Sequence, residues 1–153
     1  MNATVNSPIK VHEVYPYLRV RGAAQAIDFH ARAYGAKELL RFTEPGGRIG
    51  HAEIKIGDTT LMLSDEYPEL GIRGPLALGG TTCAIHLHVD GVDALMKQAI
   101  EAGATTVREA ADQFSGERSG RVRDPFGHEW LLGQQIENVA AEEMQKRFTG
   151  VFA

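Results

Sequence analysis

Two histidines separated by one residue, His86 and His88, are the first feature of this sequence that could do chemistry. On a strand, residues i and i+2 point to one face about 7 Å apart, so both imidazoles could reach one ion or one shared partner. A metal held there needs a further ligand, and His51, Glu53 and Glu129 are candidates of the right type. Without a metal, the same imidazoles would hydrogen-bond to Glu or Tyr neighbours. Arg19, Arg121 and Arg123 carry forked donors that suit a carboxylate or phosphate, or that pair with Glu53 and Glu129. Tyr17 offers a ring on which a planar ligand could stack, or which simply fills space. Glu129 beside a histidine could serve as a general base if burial raised its pKa. His12, His30 and His128 read as surface or turn residues.

These side chains work together only if strands present them on one side. Residues 14–20 alternate as a strand, with Val14, Pro16, Leu18 and Val20 facing one way and Tyr15, Tyr17 and Arg19 the other. Residues 23–34 have helical spacing at Ala23, Ala26, Ile27, Ala33 and Tyr34, with Gly35 as the C-terminal cap. A short strand over 37–42 and a turn at Pro45-Gly46-Gly47 follow. The strand over 51–56 sets His51, Glu53 and Lys55 against Ala52, Ile54 and Ile56, and Gly57-Asp58 turns the chain into a strand over 59–64. Residues 66–80 carry Pro and Gly without periodicity and read as a linker, a candidate lid or crossover.

The order then repeats. Strand 82–89, helix 92–102 ending at Gly103, a short strand over 105–108 and strand 118–123 lead to the turn Asp124-Pro125-Phe126-Gly127 and strand 128–133. Leu18-Arg19-Val20-Arg21-Gly22 and Leu87-His88-Val89-Asp90-Gly91 correspond at an offset of about 69 residues, the mark of a duplicated module. Alternation puts Ala84, His86 and His88 on the same concave side as Glu129, Leu131, Arg121, Arg123, Thr60, Met62 and Ser64. Asn138 is placed as the cap of a helix over 138–149, whose stripe of Ala140, Met144 and Phe148 must dock on the body or on another subunit.

Composition removes several classes of function. With 16 basic and 20 acidic residues, formal charge -4, and no Lys/Arg run, the chain has nothing that would track a phosphate backbone, so no nucleic-acid partner is expected. Residues 1–13 are polar where a secretory signal needs an apolar region, and no run reaches the roughly 18 apolar residues of a membrane span. A cytoplasmic protein with no membrane partner is expected. Cys83 is the only cysteine, which excludes an intrachain disulfide and a thiolate cluster and reads as a small buried hydrophobe. No Gly-x-Gly-x-x-Gly in a strand-to-helix setting, no phosphate-binding Gly-Lys-Ser/Thr and no Gly-x-Ser-x-Gly occur, so nucleotide cofactors and serine hydrolysis have no support.

Taken in order, the tandem β-α-β-β-β modules, Tyr17-Leu18-Arg19-Val20 before Ala26-Ile27-Asp28-Phe29 and Tyr34-Gly35-Ala36, and Asp112-Gln113-Phe114 through Gly116-Glu117-Arg118 to Asp124-Pro125-Phe126-Gly127-His128-Glu129-Trp130 carry a resemblance. The chain resembles the vicinal-oxygen-chelate superfamily of glyoxalase I, bleomycin-resistance proteins and extradiol dioxygenases over about residues 15–134. With Leu61-Met62-Leu63-Ser64-Asp65-Glu66 and the tail Glu142-Glu143-Met144-Gln145-Lys146-Arg147, it looks most like the glyoxalase-like subgroup associated with phosphonate operons. The resemblance implies an α+β fold of curled mixed sheets, plus the C-terminal helix, with a site in the concavity. It also implies metal ligands on the first and last strands of each module. Those places hold Tyr15, Met62, Ala84 and Leu131, none of them His or Glu.

The expectation is therefore a single domain over 1–153, with module one at about 14–65, linker 66–80, module two at about 81–134 and a C-terminal helix at about 138–149. It is expected to be a homodimer that binds a small organic molecule in the concave cavity, with no cofactor and no metal at the family's places. Tyr17, Arg19, His51, Glu53, Met62, His86, His88, Arg121 and Glu129 are the candidate ligand-binding residues. Two alternatives stand beside it. One is a metal-dependent lyase, isomerase or dioxygenase with ligands relocated among His51, Glu53, His86, His88 and Glu129. The other is an interaction module whose cavity is filled by its own side chains.

Overall fold

The computed structural model describes residues 9–153, so residues 1–8 of the polar N-terminal stretch lie outside the described range. The elements run β1 (Tyr17–Val20), α1 (Ala23–Tyr34), β2 (Lys37–Thr43), β3 (Ile49–Ile56) and β4 (Thr59–Asp65), then α2 (Pro75–Leu78). The second half follows as β5 (Ala84–His88), α3 (Val92–Ala102), β6 (Thr105–Asp112), β7 (Glu117–Arg123), β8 (Glu129–Gln135) and α4 (Ala141–Gly150). The repeat is realised as two four-stranded sheets of matching order, β1-β4-β3-β2 and β5-β8-β7-β6. In each, the first and last strands of the module pair in parallel and the other neighbours are antiparallel. A parallel pair needs a long crossover, and α1 with β2 and β3, or α3 with β6 and β7, supplies it.

The sheets present alternate residues to the helices, and that layer is the core. Leu18, Val20, Ala52, Ile54, Leu61 and Leu63 of the first sheet, and Val122, Trp130 and Leu132 of the second, are buried against Ala26, Phe29, Ala33, Val92, Met96 and Ala99 of the helices. Both helices have the expected bounds. Each also depends on its own module's last strand for N-terminal capping. The residue before α1 is Gly22, which has no side chain to cap with, and Asp65 Oδ1 accepts the N–H groups of Gly22 (3.0 Å) and Ala23 (2.8 Å) instead. Asp65 Oδ2 takes the N–H of Ile49 at 2.7 Å. In the second module the corresponding residue, Gln134, accepts the N–H of Val92 through Oε1 at 3.2 Å.

The helix C-termini are completed across the module boundary. Arg32 Nη1 of α1 donates to Ala102 O at 3.2 Å, while Gln98 Nε2 of α3 donates to Arg32 O at 3.1 Å and Ala33 O at 3.0 Å. Each helix thus supplies a side chain for the carbonyls that the other leaves open.

Several expectations are corrected here. His30 is fully buried, because it falls four residues after Ala26 and three after Ile27 on the inner stripe of α1, packed on Trp130 at 5.3 Å between ring centroids. His128 is also buried, with Nε2 3.1 Å from Arg19 O. Cys83 is exposed rather than a core residue, since it precedes β5 and hydrogen-bonds within its own loop. Asn138 does not cap α4; Ala140 occupies that position, and the non-helical residues Val139 and Ala140 separate Asn138 from the helix. The 66–80 linker is partly ordered, with a 3-10 turn at Pro68–Leu70 before α2. No helix among the described residues is long and apolar enough to cross a membrane.

Two stability predictions follow from this packing. Burial, assisted by the charge of His128, lowers the His30 pKa to about 4, so His30 stays neutral in the folded chain while it protonates near its ordinary 6.5 when unfolded. Stability from this residue is complete above pH ~6.5 and falls by about 3 kcal/mol as pH drops toward ~4. Urea unfolding of His30→Leu across that range should lack this component; an unaltered pH slope would remove the assignment. Asp65→Ala strips three N–H groups of their acceptor and should lower unfolding free energy by about 2–4 kcal/mol, with Asp65→Asn milder.

Candidate functional site

On the concave side of the first sheet, β1 presents Tyr17 and Arg19 beside Met62 and Ser64 of β4, their partners in register. The Tyr17 hydroxyl lies 2.7 Å from His51 Nδ1, and His51 Nε2 lies 3.2 Å from Glu53 Oε1. A carboxylate only accepts, so Nε2 carries the proton and Nδ1 accepts from the Tyr17 hydroxyl. Arg19 Nη1 donates to Ser64 Oγ at 2.7 Å, and the guanidinium sits over the Tyr17 ring, 4.2 Å from its centroid. Five groups of the first module thus form one oriented polar network, with Met62 half-buried as its apolar floor.

On the second sheet, His86 and His88 of β5 stand with ring centroids 4.8 Å apart, closer than strand spacing alone requires. Neither His51, Glu53 nor Glu129 joins them. Their neighbour is Glu117 of β7, whose Oε1 is 3.3 Å from His86 Nε2 and 3.7 Å from His88 Nε2. Glu129 is engaged elsewhere, accepting from Arg123 Nη2 at 2.8 Å and facing Arg121 Nη1 at 3.6 Å. Its charge is matched by two arginines, an arrangement unlike that of a general base in an apolar pocket.

The two sheets meet at a cavity of about 940 Å³ between β1 and β5. Tyr17, Arg19 and His86 line it from the strands, and Cys83 and Ala84 line it at the start of β5. The 66–80 segment supplies the remaining wall, with Arg73, Pro75 and Leu78. That wall is held close to β1 because Gly74 has no side chain: a Cβ there would stand 2.5 Å from Arg19 O. The Gly74 N–H is fixed by Glu66 Oε1 at 2.9 Å. His128, reaching over from the turn before β8, closes the cavity against the Arg19 carbonyl.

Of the nine candidate residues, Tyr17, Arg19 and His86 therefore border the cavity. His51 and Glu53 back Tyr17 from β3, while His88, Arg121 and Glu129 lie along the second sheet away from the cavity lining. Sequence reading missed Arg73, His128 and Glu117. Glu117 shares the parity of Arg121 and Arg123 on β7, a signal that was available once the strand is begun one residue earlier than 118. The places where the family's metal ligands would fall do not suit a metal. The Tyr15 hydroxyl is bonded to Glu13, Met62 offers only a thioether, and Ala84 and Leu131 offer no donor at all.

Comparison with known proteins agrees with this architecture. An uncharacterized protein of Mycobacterium tuberculosis is 46% identical over 133 residues, covering 85% of this chain and 78% of its own. Among solved structures, TioX from Micromonospora sp. ML1 aligns with a TM-score of 0.62 at 27% identity, over 84% of this chain and 98% of its own. FosX, a fosfomycin resistance protein from Listeria monocytogenes crystallised with Mn(II) and sulfate, shares the fold with a TM-score of 0.64 at 15% identity, over 92% of this chain and 99% of its own. The family model for the Glyoxalase/Bleomycin resistance protein/Dioxygenase superfamily matches residues 10–132. Two modules of one topology, joined through their helices and enclosing a cavity at the seam, are what this match leads one to find, and the chain belongs to that superfamily.

Proposed function

We propose that the protein binds a small organic anion with a planar or apolar body in the seam cavity, without a metal at the family's customary places. The observation that carries this reading is the charge of the wall. Arg19 and Arg73 line the cavity with His86 and His128 as further polar groups, and among the described residues no Asp or Glu does. Around these groups the lining is largely apolar, with Pro16, Leu18, Pro75, Leu78 and Ile85. An apolar hollow with a few convergent polar groups is the usual form of a small-molecule site. Its size is at the upper end of the range such sites occupy, about 300–1,000 Å³. Arg19 is oriented by Ser64 and by the Tyr17 ring, which lowers the ordering cost when its remaining N–H groups meet a carboxylate or phosphate.

An amphiphilic aromatic sulfonate, 8-anilinonaphthalene-1-sulfonate, is a suitable probe because it combines both ligand features. One dye should bind per chain and slow the alkylation of Cys83, which borders the same space. Ala84→Trp fills the cavity and Arg19→Gln removes one of its two guanidinium charges, so each should weaken dye binding about tenfold or more, roughly 1.4 kcal/mol or more. Dye binding by Ala84→Trp equal to that of the parent would sink the proposal.

The same reading is of a cytoplasmic homodimer. Leu39 and Phe42 on the edge strand β2 are 51% and 65% exposed, an apolar pair that a second subunit would cover. Light scattering at micromolar concentration should give twice the chain mass; a monomeric mass would count against it.

A further inference from the structure

His86, His88 and Glu117 take no part in the cavity's charge balance beyond His86, and their arrangement calls for its own explanation. We propose that these three side chains bind one divalent transition-metal ion, at a place distinct from the family's customary one. Their donor atoms all lie within 4.8 Å of one another. A tetrahedral ion with bonds of about 2.0–2.1 Å holds neighbouring donors about 3.3 Å apart. The Nε2 atoms of His86 and His88 stand 3.3 Å and 3.7 Å from Glu117 Oε1, close to that spacing, and the donors, all within 4.8 Å of one another, would draw together around an ion.

Two independent features favour an ion over a simple ionic contact. The first is that Glu117 Oε1 is a buried atom with no hydrogen-bond partner, despite two imidazoles beside it. Leaving a buried carboxylate oxygen unsatisfied is costly, and a cation between it and the two nitrogens would satisfy all three groups together. The second is Gly133. In the order β5-β8-β7, β8 runs beneath the three side chains, and Gly133 pairs with His88 on one side and Ser119 on the other. A Cβ on Gly133 would lie 2.0 Å from Glu117 Oε1 and 2.7 Å from His86 Nε2. Only a residue without a side chain leaves the floor open at the point where the donors converge.

The donor set specifies the class of ion. Two imidazoles and one carboxylate suit zinc, cobalt or nickel and are poorly suited to calcium or magnesium, which prefer oxygen throughout. The three protein ligands come from one side, leaving coordination positions free on the other, where the His88 side chain is 74% exposed. The site is one strand repeat along β5 from Ala84, which occupies the family's place and has no donor. It shares His86 with the seam cavity, while His88 and Glu117 lie outside that cavity's lining.

The test uses the full chain, stripped with a chelator and titrated with Co2+ by visible absorption and with Zn2+ by calorimetry. One ion per chain should bind at micromolar concentration. His86→Ala/His88→Ala and the isosteric Glu117→Gln should each weaken binding about tenfold or more. Gly133→Ala should do the same by displacing Glu117 and His86, while Arg121→Gln, on the same face but outside the cluster, should bind as the parent does. Circular dichroism checks that each variant is folded, and should Gly133→Ala fail to fold, Glu117→Gln decides. Absence of Co2+ and Zn2+ binding by the parent, or parental affinity in both Glu117→Gln and the double histidine variant, overturns the proposal and leaves the cluster as a His–Glu contact.

Discussion

The buried Asp124 carboxylate is the constraint on which the second half of the molecule depends. Oδ1 accepts the N–H groups of Phe126 and His128, both at 2.9 Å, and Oδ2 accepts Trp130 Nε1 at 2.9 Å. Burial pushes this carboxyl above its usual range, and the three donors oppose that shift. One side chain thereby folds the turn, aims the indole into the core and sets the phase in which β8 begins. Trp130 packs on Tyr34 and His30 of α1, so the turn of the second module is anchored in the helix of the first. His128 emerges from the same turn and meets the Arg19 carbonyl on β1. The register that follows brings Gly133 opposite His88, and the geometry of both sites descends from it.

The two modules keep their scaffold in common and differ in what they display. Asp65 and Gln134, at corresponding ends of β4 and β8, both cap their own helix. On the concave face, the first module places Tyr17 and Arg19 where the second places His86 and His88, at the same offset. The pair in β1 is tied up with Ser64 and His51, whereas the pair in β5 faces a carboxylate across a glycine. A shared backbone thus carries a hydroxyl–imidazole–carboxylate network on one side and a nitrogen-rich cluster on the other.

Much of the fold was legible because period and punctuation are local. The bounds of α1 and α3 follow from apolar spacing closed by Gly35 and Gly103, and strand alternation separates Ile85 and Leu87 from His86 and His88 correctly. Errors arise where a partner is remote in sequence. His30 looks like an ordinary helical histidine until Trp130, a hundred residues on, is found against it. Strand edges are soft, and starting β7 at 118 hides Glu117 from the histidines. Arg73 and His128 reach the cavity through the packing of a Gly/Pro-rich segment and a turn, for which no periodicity exists to be read. Alternation told which side chains share the concave face, but the chemistry of the cavity wall depends on contacts between modules.

The crossed completion of the helix ends bears on how the duplicated halves came to be inseparable. Arg32 serves the carbonyl of Ala102, and Gln98 serves those of Arg32 and Ala33. A lone module of this sequence would end its helix on bare carbonyls facing water that its sister should occupy. Each half of the repeat thus depends on the other at its helix end, through contacts that lie outside the cavity wall. The helix ends of the two halves complete one another away from the concave faces, where the sheets differ in the groups they display.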